Sequence, residues 1–358
     1  MAPSLLHPPS RLSAAEALLL SQRAPAVLDS LPSTVSSSML QSVIAPTDDP
    51  EIWISYENLL LSCLRTGDIE SARESLRRLV GRFGESNDRI KALGGIVREA
   101  EAEDETALLE VLKSYDSILK EDDSNIAIHK RRAALLRSLG RIPEAVSALV
   151  ALLDFTPTDA EAWAELSDVY LSQGMYPQAV YALEEVLVLA PNAWNVHARL
   201  GEVQYMAATT SVSGDAVSQQ KYTAESLKRF SRSIELCDDY LRGYYGLKLV
   251  RSQNSPSLTT LQCTTSTEST DKAHFGGMQV TAYAIENSGK WPKRSVDTED
   301  FALPDTATLQ LLSQLATEKL SEIVRRGSAK EPHWSGYDQA ELAAARKLLA
   351  QETASTVR

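Results

Sequence analysis

Histidines, cysteines and paired carboxylates are the residues here with chemistry to offer. The five histidines, His7, His129, His197, His274 and His333, show no metal-ligand spacing and no HExxH. Cys63, Cys237 and Cys263 are far apart and form no CxxC. Neither a zinc site nor a disulfide framework is expected, and a reducing compartment is the default. P-loop, GxSxG and GxGxxG motifs are absent. Asp168 and Glu202 could act as an acid/base pair. In so acidic a chain, however, carboxylates mostly serve to solvate helices. The expectation is a protein that is not an enzyme and carries no cofactor or metal. A net charge of −12 argues against general nucleic-acid binding, which wants a basic surface. No apolar run approaches the roughly 20 residues that span a bilayer. The N-terminus lacks a charged segment followed by a sustained apolar run, so no signal peptide and a soluble protein are expected.

The elements that must position any site follow from an internal repeat. Residues 129–157 and 163–191, offset by 34, agree at Ser138/Ser172, Gly140/Gly174, Pro143/Pro177, Ala145/Ala179, Val146/Val180, Ala148/Ala182, Leu149/Leu183, Leu153/Leu187 and Pro157/Pro191. A period of about 34 is that of the tetratricopeptide repeat, a pair of antiparallel helices. The recurring residues are the ones such a hairpin needs. Gly140 and Gly174 end the first helix, where a left-handed residue is required. Pro143 and Pro177 suit the first turn of the second helix, where a missing N–H costs nothing. Ala145 and Ala179 mark the close approach of the two helices. Trp163, Leu166, Tyr170, Gly174, Tyr176, Ala179, Leu183 and Pro191 occupy the signature positions of the repeat. His129 and His197 stand where the second copy has Trp163, which predicts aromatics at the core edge.

The array extends both ways. Residues 53–83 carry Gly67, Ala72, Leu76 and Leu79 at repeat spacing. Residues 90–122 form a degenerate unit, with Leu93 and Gly95 in its first helix and Tyr115 in its second. There the acidic segment 99–105 is read as lengthening the turn. Residues 194–236 form a further unit with about 13 extra residues, whose polar stretch 209–220 reads as a loop. A lone helix is expected at 240–250. Between 252 and 271, 11 of 20 residues are Ser or Thr, too polar to offset the entropy of ordering. Helical periodicity returns at 305–326, closed by Gly327, and a last helix covers 337–352. Ser13 and Glu16 predict one short capped helix near the N-terminus. The fold class expected is all-α, a tetratricopeptide-repeat right-handed superhelical solenoid. Its parts are an N-terminal extension with a short helix (1–48), the solenoid (49–250), a Ser/Thr-rich disordered insert (251–300) and C-terminal helices (301–358).

Two features point to binding. The first is a basic run, Lys130, Arg131, Arg132, Arg137 and Arg141, which is either a solvated helix face or an electrostatic dock for an acidic segment. The second is the concave wall, which by repeat register includes Lys130, Arg137, Asp168, Leu171, Glu202, Tyr205 and Met206. Its apolar members, Leu171, Tyr205 and Met206, suit either a partner helix or peptide or coverage by later helices of the chain itself.

The segments "IWISYENLLLSCLRTGDIESARESLRRLVGRF", "YDSILKEDDSN", "HKRRAALLRSLGRIPEAVSALVALL" and "EAWAELSDVYLSQGMYPQAVYALEEVLVLAPNAWNVHARLGEVQYMAA" follow one another in this order. Together, over roughly residues 50–250, they resemble the family of subunit 2 of the endoplasmic reticulum membrane protein complex, in a fungal-type form. That resemblance implies a non-catalytic scaffold, peripheral on the cytoplasmic side of the endoplasmic reticulum membrane. The complex inserts transmembrane helices of tail-anchored and multipass client proteins. Its subunit 2 holds cytosolic parts of membrane subunits such as 3 and 5, and a soluble subunit 8 or 9. The alternative is a co-chaperone adaptor that grips the C-terminal tails of heat-shock proteins. That clamp wants Asn at the ninth repeat position, where this chain has Ala134, Asp168 and Glu202.

Overall fold

A computed structural model describes residues 3–9, 12–30, 50–210, 216–253, 303–329, 331, 334 and 337–356. Among them are fifteen α-helices and no strand. The fold is a tetratricopeptide-repeat array of helical hairpins. The chain divides into two compact units, residues 1–157 and 158–358.

The first unit contains α1 (Ala14–Ser21), α2 (Ala24–Ser30), α3 (Pro50–Thr66), α4 (Ile69–Phe83), α5 (Asp88–Glu101), α6 (Glu105–Glu121), α7 (Ile126–Ser138) and α8 (Ile142–Phe155). Starts are set locally. The Ser13–Glu16 capping box forms on α1, and Asp68, Asn87, Asp104 and Asn125 each accept a backbone N–H at the head of the helix that follows. A second N-terminal helix, α2, was not expected from the sequence. Its Pro25 tolerates only a helix's first turn, which is where it sits. Both short helices are tied down. Leu20 and Ala24 are fully buried in one cluster with Tyr56, Leu59 and Cys63. In addition, Asn58 Nδ2 donates to the Leu5 carbonyl at 2.7 Å. The acidic stretch 99–105 does not lengthen a turn as expected. Helix α5 runs through Glu101 and α6 starts at Glu105, because Asp104 caps α6 and Glu105 favours its positive end.

The second unit contains α9 (Ala160–Ser172), α10 (Tyr176–Leu189), α11 (Trp194–Thr210), α12 (Ala216–Leu236), α13 (Leu241–Gln253), α14 (Thr306–Ala329) and α15 (Gln339–Thr356). Gly140 and Gly174, one in each unit, hold φ of +72° and +69° directly after the first helix of their hairpins. Pro143 and Pro177 sit in the first turn of the second helix. Ala145 and Ala179 are completely buried, as the repeat register requires.

The reading of 209–220 as a loop is corrected. Residues 209–210 complete α11 and residues 216–220 open α12, while 211–215 lie outside the described residues. Helix α13 is not alone. Leu241, Tyr244, Leu247 and Val250 share a core with Phe230 of α12, with Ala316, Leu320 and Ile323 of α14, and with Leu342 and Ala345 of α15. Helix α14 continues through Gly327 to Ala329. That glycine lacks the positive φ of a cap, and its α-carbon lies against the Leu342 side chain. The Ser/Thr-rich stretch, from residue 254 on, lies outside the described residues.

Candidate partner-binding site

Of the seven wall residues expected from the register, five lie in the second unit. Asp168 and Leu171 are on α9, and Glu202, Tyr205 and Met206 are on α11. Arg199, which the sequence reading missed, organises the polar part. It donates to Asp168 Oδ1 at 2.9 Å and to Glu202 Oε2 at 2.8 Å. Burial works against the Arg199 charge, but the two carboxylates outweigh it and hold its pKa above the ordinary value. Asp168 and Glu202 therefore form an ion-pair bridge between α9 and α11 rather than an acid/base pair. The missed signal was an arginine three residues before Glu202, the repeat equivalent of Asp168.

The apolar wall residues are half-covered by their own unit. Leu171 and Met206 pack on the cluster of Ala179, Leu183, Leu187, Leu200 and Val203. Tyr205 packs on the α12–α15 core, and burial, followed by the neighbouring Tyr245, raises its hydroxyl pKa. These side chains retain partial exposure, so a partner could contact them without new apolar surface being created.

Lys130 and Arg137, both on α7, belong to the first unit. Lys130 is half-buried and Arg137 exposed. Arg131, Arg132 and Arg141 of the basic run pair with local carboxylates. Arg131 pairs with Glu99 of α5, Arg132 Nε lies 2.6 Å from Asp116 of α6, and Arg141 Nε lies 2.6 Å from Glu144 of α8. The Arg131 pair is the most enclosed, since Glu99 also accepts the Tyr115 hydroxyl at 2.5 Å. Burial, then that hydrogen bond, pushes the Tyr115 pKa upward. These pairs link α7 to α5 and α6, and tie Arg141 to the start of α8.

The two signature-position histidines support turns. His197 is buried with Nε2 3.0 Å from the Pro191 carbonyl, and His129 Nε2 lies 2.9 Å from the Asp123 carbonyl. Among the described residues no three of His, Cys, Asp and Glu come together as a metal site.

Comparison with known proteins agrees with the repeat reading. Residues 85–219 match the family model described as the EMC2 TPR-like repeat domain. The TPR repeat protein oca3 of Schizosaccharomyces pombe is 34% identical over 197 residues, covering 55% of this chain and 65% of that protein. ER membrane protein complex subunit 2 of Xenopus tropicalis is 31% identical over 197 residues, covering 55% of this chain and 61% of that protein. The chain thus spans less than two thirds of these relatives. Among solved structures, a TPR repeat-containing protein of Cytophaga hutchinsonii superposes with a TM-score of 0.42 at 13% identity, covering 69% of this chain and 90% of the other. Over residues 85–219 the chain is thus similar to the EMC2 TPR-like repeat domain.

Proposed function

We propose that this chain is a non-catalytic scaffold subunit of the endoplasmic reticulum membrane protein complex. In this reading it sits on the cytoplasmic face of the membrane. It holds cytosolic parts of membrane subunits such as 3 and 5, together with a soluble subunit 8 or 9. It thereby supports insertion of tail-anchored and multipass client helices. The observation that carries the reading is the repeat-domain match over residues 85–219. The structure supports it with partly exposed apolar residues beside an ion-pair bridge on α9 and α11. No described helix is long and apolar enough to cross a membrane, so membrane association would run through partners.

The test is tagged purification in mild detergent, with the co-purifying chains identified, for wild type and a Leu171→Ser/Tyr205→Ser variant. Buried interface anchors are worth about 2 kcal/mol or more each. The double change is therefore expected to weaken partner capture well over tenfold while the far-ultraviolet helical signal survives. Full recovery of partners by the variant would remove this wall as the docking surface. A wild type that floats free of membranes and partners would end the scaffold reading itself.

A further inference from the structure

His129 on α7 and His197 on α11 hold equivalent repeat positions and make the same bond, from Nε2 to the carbonyl of the residue six places earlier. Their surroundings differ in sign. His129 Nε2 also has Asp123 Oδ1 at 3.3 Å. His197 is only 6% exposed and, among the described residues, pairs with no carboxylate. Its charged neighbours are Arg229 and Arg232 of α12. Glu184 of α10 lies 3.1 Å from Arg229, and Glu235 of α12 lies 2.7 Å from Arg232, so both acids are engaged by the arginines. The turn from α10 to α11, Pro191–Ala193, carries no charge. A carbonyl can only accept, so Nε2 bears the proton of the neutral ring. Nδ1 is then a buried acceptor with no protein partner. A second proton would make it a buried donor with nothing to receive it, because Arg229 Nε, also buried and unpaired, is a donor too. The added charge would also sit in the first turn of α11, at the positive end of the helix dipole.

We propose that His197 makes the junction of α10, α11 and α12 an acid-sensitive joint: the neutral ring ties α11 to the Pro191 turn, and protonation releases that tie. Burial, opposed by the Pro191 bond and reinforced by the two arginines, holds the imidazole below its ordinary 6.5. The opened junction therefore takes up the proton more readily than the closed one. Stability contributed by the neutral ring is complete above about pH 6.5 and is lost as the pH falls below it. Helix α11 also carries Glu202, Tyr205 and Met206, so opening the joint loosens the wall those residues form. The device itself does not depend on what docks there.

The experiment is amide hydrogen exchange of the full chain, read by mass spectrometry at about pH 7.5 and about pH 5.5 and corrected for the intrinsic rate at each pH. Protection of the start of α11 and of the facing part of α12 should fall several-fold, up to about tenfold, on acidification. Helices α7 and α8, which belong to the other unit with His129, should change by less than about twofold. His197→Phe keeps an aromatic ring that cannot take a proton, and should abolish the acid loss. Arg232→Gln removes a like charge from a partly exposed side chain of α12, and should reduce the loss even if the phenylalanine is not accepted. In wild type, the imidazole proton NMR signal that His197→Phe deletes should titrate below 6.5. Equal loss of protection in both units, an acid loss undiminished in Arg232→Gln, or a His197 midpoint at or above 6.5 would each overturn the proposal.

Discussion

Two adjacent glycines in α5 should respond to alanine in opposite directions. A Cβ built on Gly95 would lie 2.6 Å from Tyr115 Cε1 and 2.8 Å from its Cζ, distances that real Cβ atoms do not tolerate. Tyr115 cannot yield cheaply. It is completely buried, and its hydroxyl donates to Glu99, which also receives Arg131. Moving the ring costs about 1–3 kcal/mol of overpacking. Losing a hydrogen bond to a charged acceptor costs about 1.5–3 kcal/mol more. Alanine recovers up to about 1 kcal/mol of helix propensity. The net expectation for Gly95→Ala is a destabilisation of about 2–4 kcal/mol. At Gly94 the nearest atom to a built Cβ is Leu76 Cδ2 at 4.0 Å, an ordinary contact. Gly94→Ala should therefore stabilise, by about 0.5–1 kcal/mol. Urea unfolding followed by circular dichroism reads both variants. If Gly95→Ala unfolds at the wild-type midpoint, or if the two variants shift it the same way, the close packing of Tyr115 on α5 and the register of the degenerate repeat are wrong.

Ala179→Leu should cost about 1–3 kcal/mol, because the position has no accessible surface and the helices of the hairpin touch there. A wild-type melting temperature for this variant would contradict that contact. Burial, then the neighbouring Asp68, pushes the Cys63 thiol up to about 12 from an ordinary value of 9.0. The folded chain then binds this proton more tightly than the unfolded chain. Stability contributed by the neutral thiol is complete below about pH 9 and declines as pH rises from there toward 12. Cys63→Ala should flatten the urea midpoint between pH 8.5 and 10.5, and alkylation of the native chain at about pH 8 should modify the half-buried Cys237 while sparing Cys63. Rapid modification of Cys63 in the folded chain would refute its burial.

What could be read from the residues alone was the hairpin. Gly140, Gly174, Pro143, Pro177, Ala145 and Ala179 report constraints that act within a single repeat: a left-handed turn residue, a missing N–H, and a helix–helix approach too close for a larger side chain. Such constraints recur every 34 residues and are visible as identity. The same logic placed Asp168, Leu171, Glu202, Tyr205 and Met206 on first helices, where they are found. It could not say how those side chains are spent. Arg199 joins Asp168 to Glu202, and Arg131 turns to Glu99, 32 residues away. Those pairings depend on the axial offset and rotation between neighbouring helices, which periodicity leaves open. The packing of α13 against α14, on either side of residues 254–305, likewise has no signature in spacing. The Trp53–Phe83–Ile90 cleft is the clearest case. Each residue reads as an ordinary apolar position on its own helix, and only the angle at which α3, α4 and α5 meet leaves a gap between them. Local rules set which face of a helix is buried. Tertiary packing decides which residues face one another across it, because that depends on distances between elements that the chain's own periodicity does not encode.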